Sequence, residues 1–387
     1  MMIEFELTPP MGWYSGFSND PTTESSLLTA TTYISEYLKA FGYEYIIIDD
    51  SWYAGGESNE HGFYIPTATQ FTSAENGIGF KLLADYIHRL KLKFGLHISP
   101  YVPDSAVLKN ICLPDGKTHI GEITKLVNDQ YVIDFDKFGA ASYYEYLFKL
   151  YASWGVDLIY IDLTQFNYDD LSYISDALKS CDRNMLLYVA SPIINYDEVD
   201  YISQYANMWP ISDTFLNGWS DILKAFELCK LWNPVVGNNS WPILPFIASE
   251  LKNRFTPDEQ MTLLTLCAIF KSPIILDGNF KDLPDEIQTL LTNMDVLSLL
   301  KHSHAAYELY HTDEHITWTT QAPDGSRYLA IFNTTDESFV ITTNLGLPST
   351  YKLYDLWTHE NLEEVTGNFA LEVPSHGVRL VKLIAQY

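Results

Sequence analysis

The first 300 or so residues repeat one pattern. A short run of β-branched and other apolar residues ends in a polar one, and a stretch with apolar residues at helical spacing follows. Tyr45-Ile46-Ile47-Ile48 is the clearest case, running into Asp49-Asp50-Ser51-Trp52. A continuous apolar run marks a strand buried on both faces, as in a parallel sheet. Leu27, Ala30, Ile34, Leu38 and Phe41 precede it at helical spacing, and Gly42 stops that helix. Phe80, Leu83, Ala84, Ile87 and Leu90 form the next amphipathic stretch, before a strand at Phe94–Ile98. A helix around Phe138–Trp154 leads through Gly155 into Leu158-Ile159-Tyr160-Ile161-Asp162. Further strands are expected at Met11–Trp13, Met185–Val189, Ala206–Ile211, Pro234–Val236 and Pro273–Leu276. Helices are expected near Ser220–Leu231, Pro257–Phe270 and Pro284–Leu300.

These elements count to eight βα units. A (β/α)8 TIM barrel takes about 250 residues, so the stretch is long enough. An open doubly wound sheet is the alternative, but no glycine-rich phosphate loop follows the first strand, which favours the barrel. Past residue 305 the pattern changes to short strands with no helix between them: Ile316–Thr319, Tyr328–Phe332, Phe339–Thr343, Tyr351–Tyr354 and Val378–Leu383. Turn signals Asp324-Gly325 and Pro374-Ser375 separate some of them. The expected organisation is a (β/α)8 barrel over 1–304 and a C-terminal antiparallel β-sandwich over 305–387. The segment Asn110–Asp134 reads as a long loop over the barrel mouth.

The chain has 387 residues and a net charge of −27. That argues against nucleic acid, anionic membrane surfaces and strongly anionic substrates as partners. The acidity also simply keeps a protein in solution. Aromatic residues make up 14% of the chain; flat rings with a polar edge suit a sugar cleft, and they equally fill cores. No run of 18 apolar residues occurs, so no membrane span is expected. The start, MMIEFELTPPMGW, has no basic and apolar leader pattern, so a cytoplasmic location is expected. Cys112, Cys181, Cys229 and Cys267 lie far apart, which disfavours a zinc site or a disulfide framework. No metal or cofactor is expected.

Barrel active sites lie at the C-terminal ends of the strands. Asp162 ends an otherwise apolar strand, where a charge is costly unless it meets solvent, a partner or a ligand; it could also cap the next helix. Asp49 and Asp50 adjoin, and one could cap a helix while the other meets solvent. Asp213 follows a third strand and also suits a turn. His97 lies near a strand end and could equally be a core residue. Two carboxylates across a cleft can hydrolyse a glycosidic bond, one attacking or activating water and the other protonating the leaving oxygen.

Thr8-Pro9-Pro10-Met11-Gly12-Trp13 and Gly42–Trp52 resemble the opening of family 27 glycoside hydrolases, the α-galactosidases and α-N-acetylgalactosaminidases. The likeness continues through Leu83–His88, Lys93–Ile98, Trp154-Gly155-Val156-Asp157, Arg254–Gln260 and Ser272–Ile275. It extends over Tyr328–Asn333, Asp355-Leu356-Trp357 and Ser375-His376-Gly377. The resemblance implies a barrel plus β-sandwich, a carbohydrate substrate, Asp162 as catalytic nucleophile, and Asp49 and Asp50 as holders of sugar hydroxyls. It also implies an acid/base aspartate soon after a Trp-Arg pair. Here that pair is Trp209-Pro210; ungapped counting reaches Thr214, and a one-residue slip gives Asp213. The family's lysine two residues before its nucleophile is Tyr160 here. Trp13, Trp52, His97, Tyr160 and Trp209 are the further expected substrate contacts. Family members often self-associate, and a homo-oligomer stays open.

Two functional readings follow. One is a retaining α-glycosidase with Asp162 as nucleophile and Asp213 as acid/base, their carboxyls about 5–5.5 Å apart. The other is a non-catalytic carbohydrate-binding protein on the same scaffold. A variant of the first cleaves another sugar, such as a galacto-configured pyranoside lacking the C6 hydroxymethyl.

Overall fold

A computed structural model describes residues 8–16, 21–163, 169–191, 194–212, 216–245, 251–278, 283–344 and 349–386. Its first sheet has eight strands: β1 (Met11–Tyr14), β2 (Tyr45–Ile48), β3 (Lys93–Ile98), then, past a hairpin of β4 (Thr124–Val127) and β5 (Gln130–Ile133), β6 (Leu158–Asp162), β7 (Leu186–Ser191), β8 (Met208–Pro210), β9 (Trp241–Ile243) and β10 (Ile274–Asp277). Their order is β10-β1-β2-β3-β6-β7-β8-β9, a nearly closed barrel of the expected class. The pairings from β1 through β8 are parallel. Strands this apolar form because helices cover the outside and side chains fill the inside; Ile46, Ile47, Ile48 and Ile159 are completely buried. Gly12 lets β1 lie close against β2: a Cβ there would stand 2.3 Å from the Tyr45 carbonyl oxygen. Gly155, at φ 91°, ends the helix Ala141–Trp154 in the left-handed turn that glycine adopts without strain.

Three local expectations are corrected. Residues 110–134 are not one long loop, since β4 and β5 pair there as an antiparallel hairpin. Its two-residue turn uses Asn128 and Asp129 at φ 48° and 63°, so Asn-Asp does the work usually signalled by Asn-Gly. Pro234–Val236 is not a strand. Asn233–Val235 is one 3₁₀ turn with Pro234 in the position helices tolerate, and the strand begins at Trp241 after a tight turn through Asn238 and Asn239. Pro284–Leu300 is two helices, Asp285–Leu291 and Met294–His302. The Asn293 side chain accepts from the amides of Asp295 and Val296 and so starts the second.

The chain gathers into two compact units. The first holds β1 to β8 and most of β10. The second holds β9, the helices Trp219–Trp232 and Pro257–Phe270, and the C-terminal sheet. That sheet is antiparallel, with β11 (His304–His311), β12 (His315–Gln321), β13 (Arg327–Asn333), β14 (Phe339–Asn344), β15 (Thr350–Asp355), β16 (Glu360–Thr366), β17 (Asn368–Val373) and β18 (Val378–Gln386) in the order β11-β12-β13-β18-β15-β16-β17-β14. Leu329, Ile331, Ile341, Leu353, Val373 and Val381 form its core.

This grouping differs from the division at residue 304, and packing within the second unit explains why. The helix Pro257–Phe270 is buried nearly all round. Its Thr265 hydroxyl accepts from Trp357 Nε1 at 2.9 Å, and its Thr262 hydroxyl donates to the His376 carbonyl at 2.7 Å. Phe226 meets Phe332 edge to face at 4.8 Å between centroids.

Candidate active site

Parallel pairing sets which side chains share a face, because residues paired across neighbouring strands point the same way. In the first unit His97 of β3 pairs with Tyr160 of β6, and Tyr160 pairs with Tyr188 of β7. Flat rings at adjacent positions then stack. His97 and Tyr160 lie 4.1 Å apart and 17° from parallel; Tyr160 and Tyr188 lie 4.4 Å apart and 17° from parallel. Tyr14 meets the edge of Tyr160 at 5.3 Å, and its hydroxyl shares a 2.9 Å hydrogen bond with His97 Nδ1.

Asp162 is two residues beyond Tyr160, on the same face and half-buried. There the β6–β7 register shifts: Ile161 pairs with Val189 but Asp162 pairs with Ser191, so β7 carries one extra residue. Such a bulge re-aims the side chain opposite it, and bulges recur beside active sites.

Asp49 follows β2. Ser15 Oγ donates to its Oδ1 at 2.6 Å, Thr22 Oγ1 donates to the same oxygen, and the Ser51 amide donates to Oδ2 at 3.2 Å. Burial alone would raise the Asp49 pKa, but these donors outweigh it and the net shift is downward. The capping role weighed from sequence is thus real: Asp49 caps the 3₁₀ turn Asp50–Tyr53, while Asp50 is exposed. Both carboxylates act on the ring stack. Burial lowers the His97 pKa, against upward pulls from Asp50, Asp49 and Asp162, and burial wins. Burial first, then Asp162 and Asp50, push the Tyr160 phenol far above its ordinary range. Burial, Tyr160 and the two aspartates do the same to Tyr14. Burial thus favours the neutral form of His97, Tyr160 and Tyr14 alike.

Burial and pleat parity turn three expected sugar contacts away from the face that carries the ring stack. Trp52 is 0% exposed; it sits among Tyr53, Phe80, Tyr151 and Trp154, and its Nε1 donates to the His97 carbonyl at 2.8 Å. Trp209 is also 0% exposed. Met208 pairs with Tyr188, so Trp209 takes the opposite face of β8. Rings with no surface left cannot touch a solute. Trp13 pairs with Ile46, opposite in parity to the Tyr14–Ile47 pair, and its Nε1 donates to the Gly278 carbonyl at 2.9 Å. Tyr14 therefore takes the face expected for Trp13. Asp213 and Thr214 lie outside the described residues. Tyr14, Ser15, Thr22 and Tyr188 were missed in the sequence. Tyr14 and Tyr188 had a usable signal in strand parity, whereas the Ser15 and Thr22 contacts with Asp49 span 34 and 27 residues and had none. Among the described residues no group of three or more His, Cys, Asp or Glu side chains suits a metal ion. No described helix is long and apolar enough to cross a membrane.

Carboxylates ending barrel strands, with stacked rings on the same face, are an arrangement that suits the class of glycoside hydrolases. Comparison with known proteins agrees. A model described as Alpha galactosidase A matches residues 129–302, and one described as Alpha galactosidase C-terminal beta sandwich domain matches residues 312–383. A solved family 27 β-L-arabinopyranosidase from Geobacillus stearothermophilus, in complex with arabinose, is 32% identical with a TM-score of 0.92 over 99% of this chain and 98% of that one. Alpha-galactosidase D of Emericella nidulans is 24% identical over 97% of this chain, which spans 56% of that relative's length. An alpha-galactosidase of Cyamopsis tetragonoloba is 23% identical over 97% of this chain and 86% of its own. The chain belongs to glycoside hydrolase family 27.

Proposed function

We propose that this protein is a retaining glycosidase that removes a terminal sugar of galacto configuration, with Asp162 as nucleophile and Asp213 as acid/base. The observation that carries the reading is Asp162 itself, half-buried at the end of β6 directly past Tyr160. Asp162 attacks the anomeric carbon and forms a covalent glycosyl-enzyme, while Asp213 protonates the departing oxygen. Asp213 then takes a proton from the water that releases the sugar. Asp49, oriented by Ser15, Thr22 and Ser51, accepts from sugar hydroxyls beside Asp50.

Two substrates fit a galacto-configured pocket. The α-galactosidase relatives support an α-galactoside. The β-L-arabinopyranosidase supports the same ring without its C6 hydroxymethyl group, and its higher identity favours that sugar. The test is initial rates on aryl α-galactoside, β-L-arabinopyranoside, α-N-acetylgalactosaminide and α-glucoside, for the wild type, Asp162→Asn and Asp213→Asn. Turnover of the first two that is lost in Asp162→Asn supports the reading. A folded wild type that binds these sugars by calorimetry and turns over none overturns it in favour of a binding protein.

A further inference from the structure

We propose that Ser15 and Thr22 are specificity-determining residues: their hydroxyls fill both acceptor positions of Asp49 Oδ1, so the carboxylate takes a single sugar hydroxyl, at Oδ2, and the pocket favours a galacto-configured pentopyranose over the hexopyranose with one hydroxyl more. The proposal rests on the glycosidase reading and narrows the part of Asp49 in it to one hydroxyl.

An ionised carboxylate only accepts, and its two oxygens offer about four lone-pair positions. Ser15, directly past β1, gives its hydroxyl proton to Oδ1 at 2.6 Å. Thr22, just before the helix Glu24–Tyr33, gives its own to the same oxygen. The Ser51 amide fills one position on Oδ2 at 3.2 Å. One position is left, and it lies on Oδ2. The Ser15 hydroxyl cannot turn away, because its oxygen accepts from the Asp49 amide at 2.8 Å and its proton is thereby directed at the carboxylate. Thr22 Oγ1 lies 3.0 Å from Ser15 Oγ, so the two hydroxyls stand side by side against Oδ1. Both residues are only 5% exposed, so this cap is part of the protein and is not lent by solvent. Asp49 itself is half-buried. The α-galactoside and the β-L-arabinopyranoside of the proposed function differ by one hydroxymethyl group. Its hydroxyl needs a partner when it leaves water, and a polar group enclosed without one costs binding. The protein's own hydroxyls already occupy the oxygen that would receive it. A site discriminates strongly through the hydrogen bonds it can and cannot complete.

The experiment measures the ratio of kcat/KM for aryl α-galactoside to that for aryl β-L-arabinopyranoside in wild type, Ser15→Ala, Thr22→Ala and Thr22→Ser, with melting temperatures alongside. Freeing Oδ1 should raise the ratio about 3- to 10-fold in either alanine variant, the size of one hydrogen bond. Thr22→Ser gives up the methyl group but keeps the hydroxyl, so it should hold the wild-type ratio. A merely structural role would lower both rates together and leave the ratio unmoved. An unchanged ratio in folded Thr22→Ala, an equal rise in Thr22→Ser, or a wild-type ratio in favour of the galactoside overturns the proposal. A second measurement leaves Ser15 and Thr22 in place: the 2-, 3- and 4-deoxy analogues of the arabinopyranoside on wild type and Asp49→Ala. One deoxy penalty alone should shrink in Asp49→Ala; two shrinking penalties, or none, overturn the proposal. Asp162→Asn run beside them separates the two levels: turnover that survives in it overturns the glycosidase reading, whereas turnover lost in it with an unmoved ratio in Thr22→Ala overturns only this proposal.

Discussion

One carboxylate stands just before β6 and another ends it, and the two differ in their work: Asp157 holds strands together, and Asp162 is the proposed nucleophile. Asp157, just before β6, is gripped: Arg183 Nη2 donates to Oδ1, while His88 Nε2 lies 2.7 Å and the Phe94 amide 2.8 Å from Oδ2. Arg183 also donates from Nε to the Val156 carbonyl at 2.7 Å, tying the start of β6 to the segment before β7. Asp162, five residues on, ends the strand two residues past Tyr160, whose ring is stacked between those of His97 and Tyr188. A carboxylate that holds a fold together is worth most when opposite charge and amides absorb it. In the proposed function Asp162 instead attacks the anomeric carbon, so its worth lies in reaching the substrate. Asp49, held by two hydroxyls and an amide, and Glu259 in the second unit both belong with the gripped kind. Glu259 meets His376 at 2.8 Å, and His376 in turn stacks on Trp219 at 4.1 Å.

The largest expected effect tests the attacking end. Asp162→Asn should lower turnover by at least about 10³-fold, the scale of removing a nucleophile, with the melting temperature held. Loss of fold instead of turnover would make Asp162 a second Asp157 and erase the contrast. At the gripped end the expectation is reversed. Asp157→Asn should destabilise by about 1–2 kcal/mol by giving Arg183 and His88 a neutral partner in place of a charged one, read by denaturant unfolding, with kcat per folded molecule unchanged. A fall in kcat alone would show that the two ends are coupled.

Ser15→Ala comes next and sharpens the case of Asp49. It removes a 2.6 Å donor and the 2.8 Å acceptor for the Asp49 amide, for about 1–2 kcal/mol at neutral pH. The native Asp49 pKa lies below its ordinary value. Its stabilising contribution is therefore present above the ordinary carboxylate pKa and is lost as pH falls through the lower native value. The stability gap between wild type and Ser15→Ala should narrow as the medium is acidified below about pH 4. A gap that stays constant would mean that the hydroxyl stabilises without acting through the charge. The smallest effect is expected at His376→Gln, about 1 kcal/mol of stability with turnover unmoved, because one of its partners, Asp336, is exposed.

Much of this molecule can be read in its sequence. Apolar runs such as Tyr45–Ile48 and Leu158–Ile161 specify strands because a buried parallel sheet admits little else, and the Asp endings of those runs mark the catalytic rim. Thr256 with Glu259 marks the start of its helix, since the capping box is a contact between near neighbours. Signals weaken when the residue types are unusual for their job, as with Asn128-Asp129 in a hairpin turn. They vanish when the contact is distant. The family resemblance made Trp13, Trp52 and Trp209 expected sugar contacts; burial and pleat parity turned those rings away and placed Tyr14 and Tyr188 beside Tyr160 instead. Local pattern thus determined where strands begin and end and which of them finish in a carboxylate, because those depend on short-range sterics and burial. Which rings stack, which hydroxyls orient Asp49 and which strand bulges beside Asp162 were decided only in the folded barrel, because register between strands whose paired residues lie 28 to 63 positions apart is set by all of them closing together.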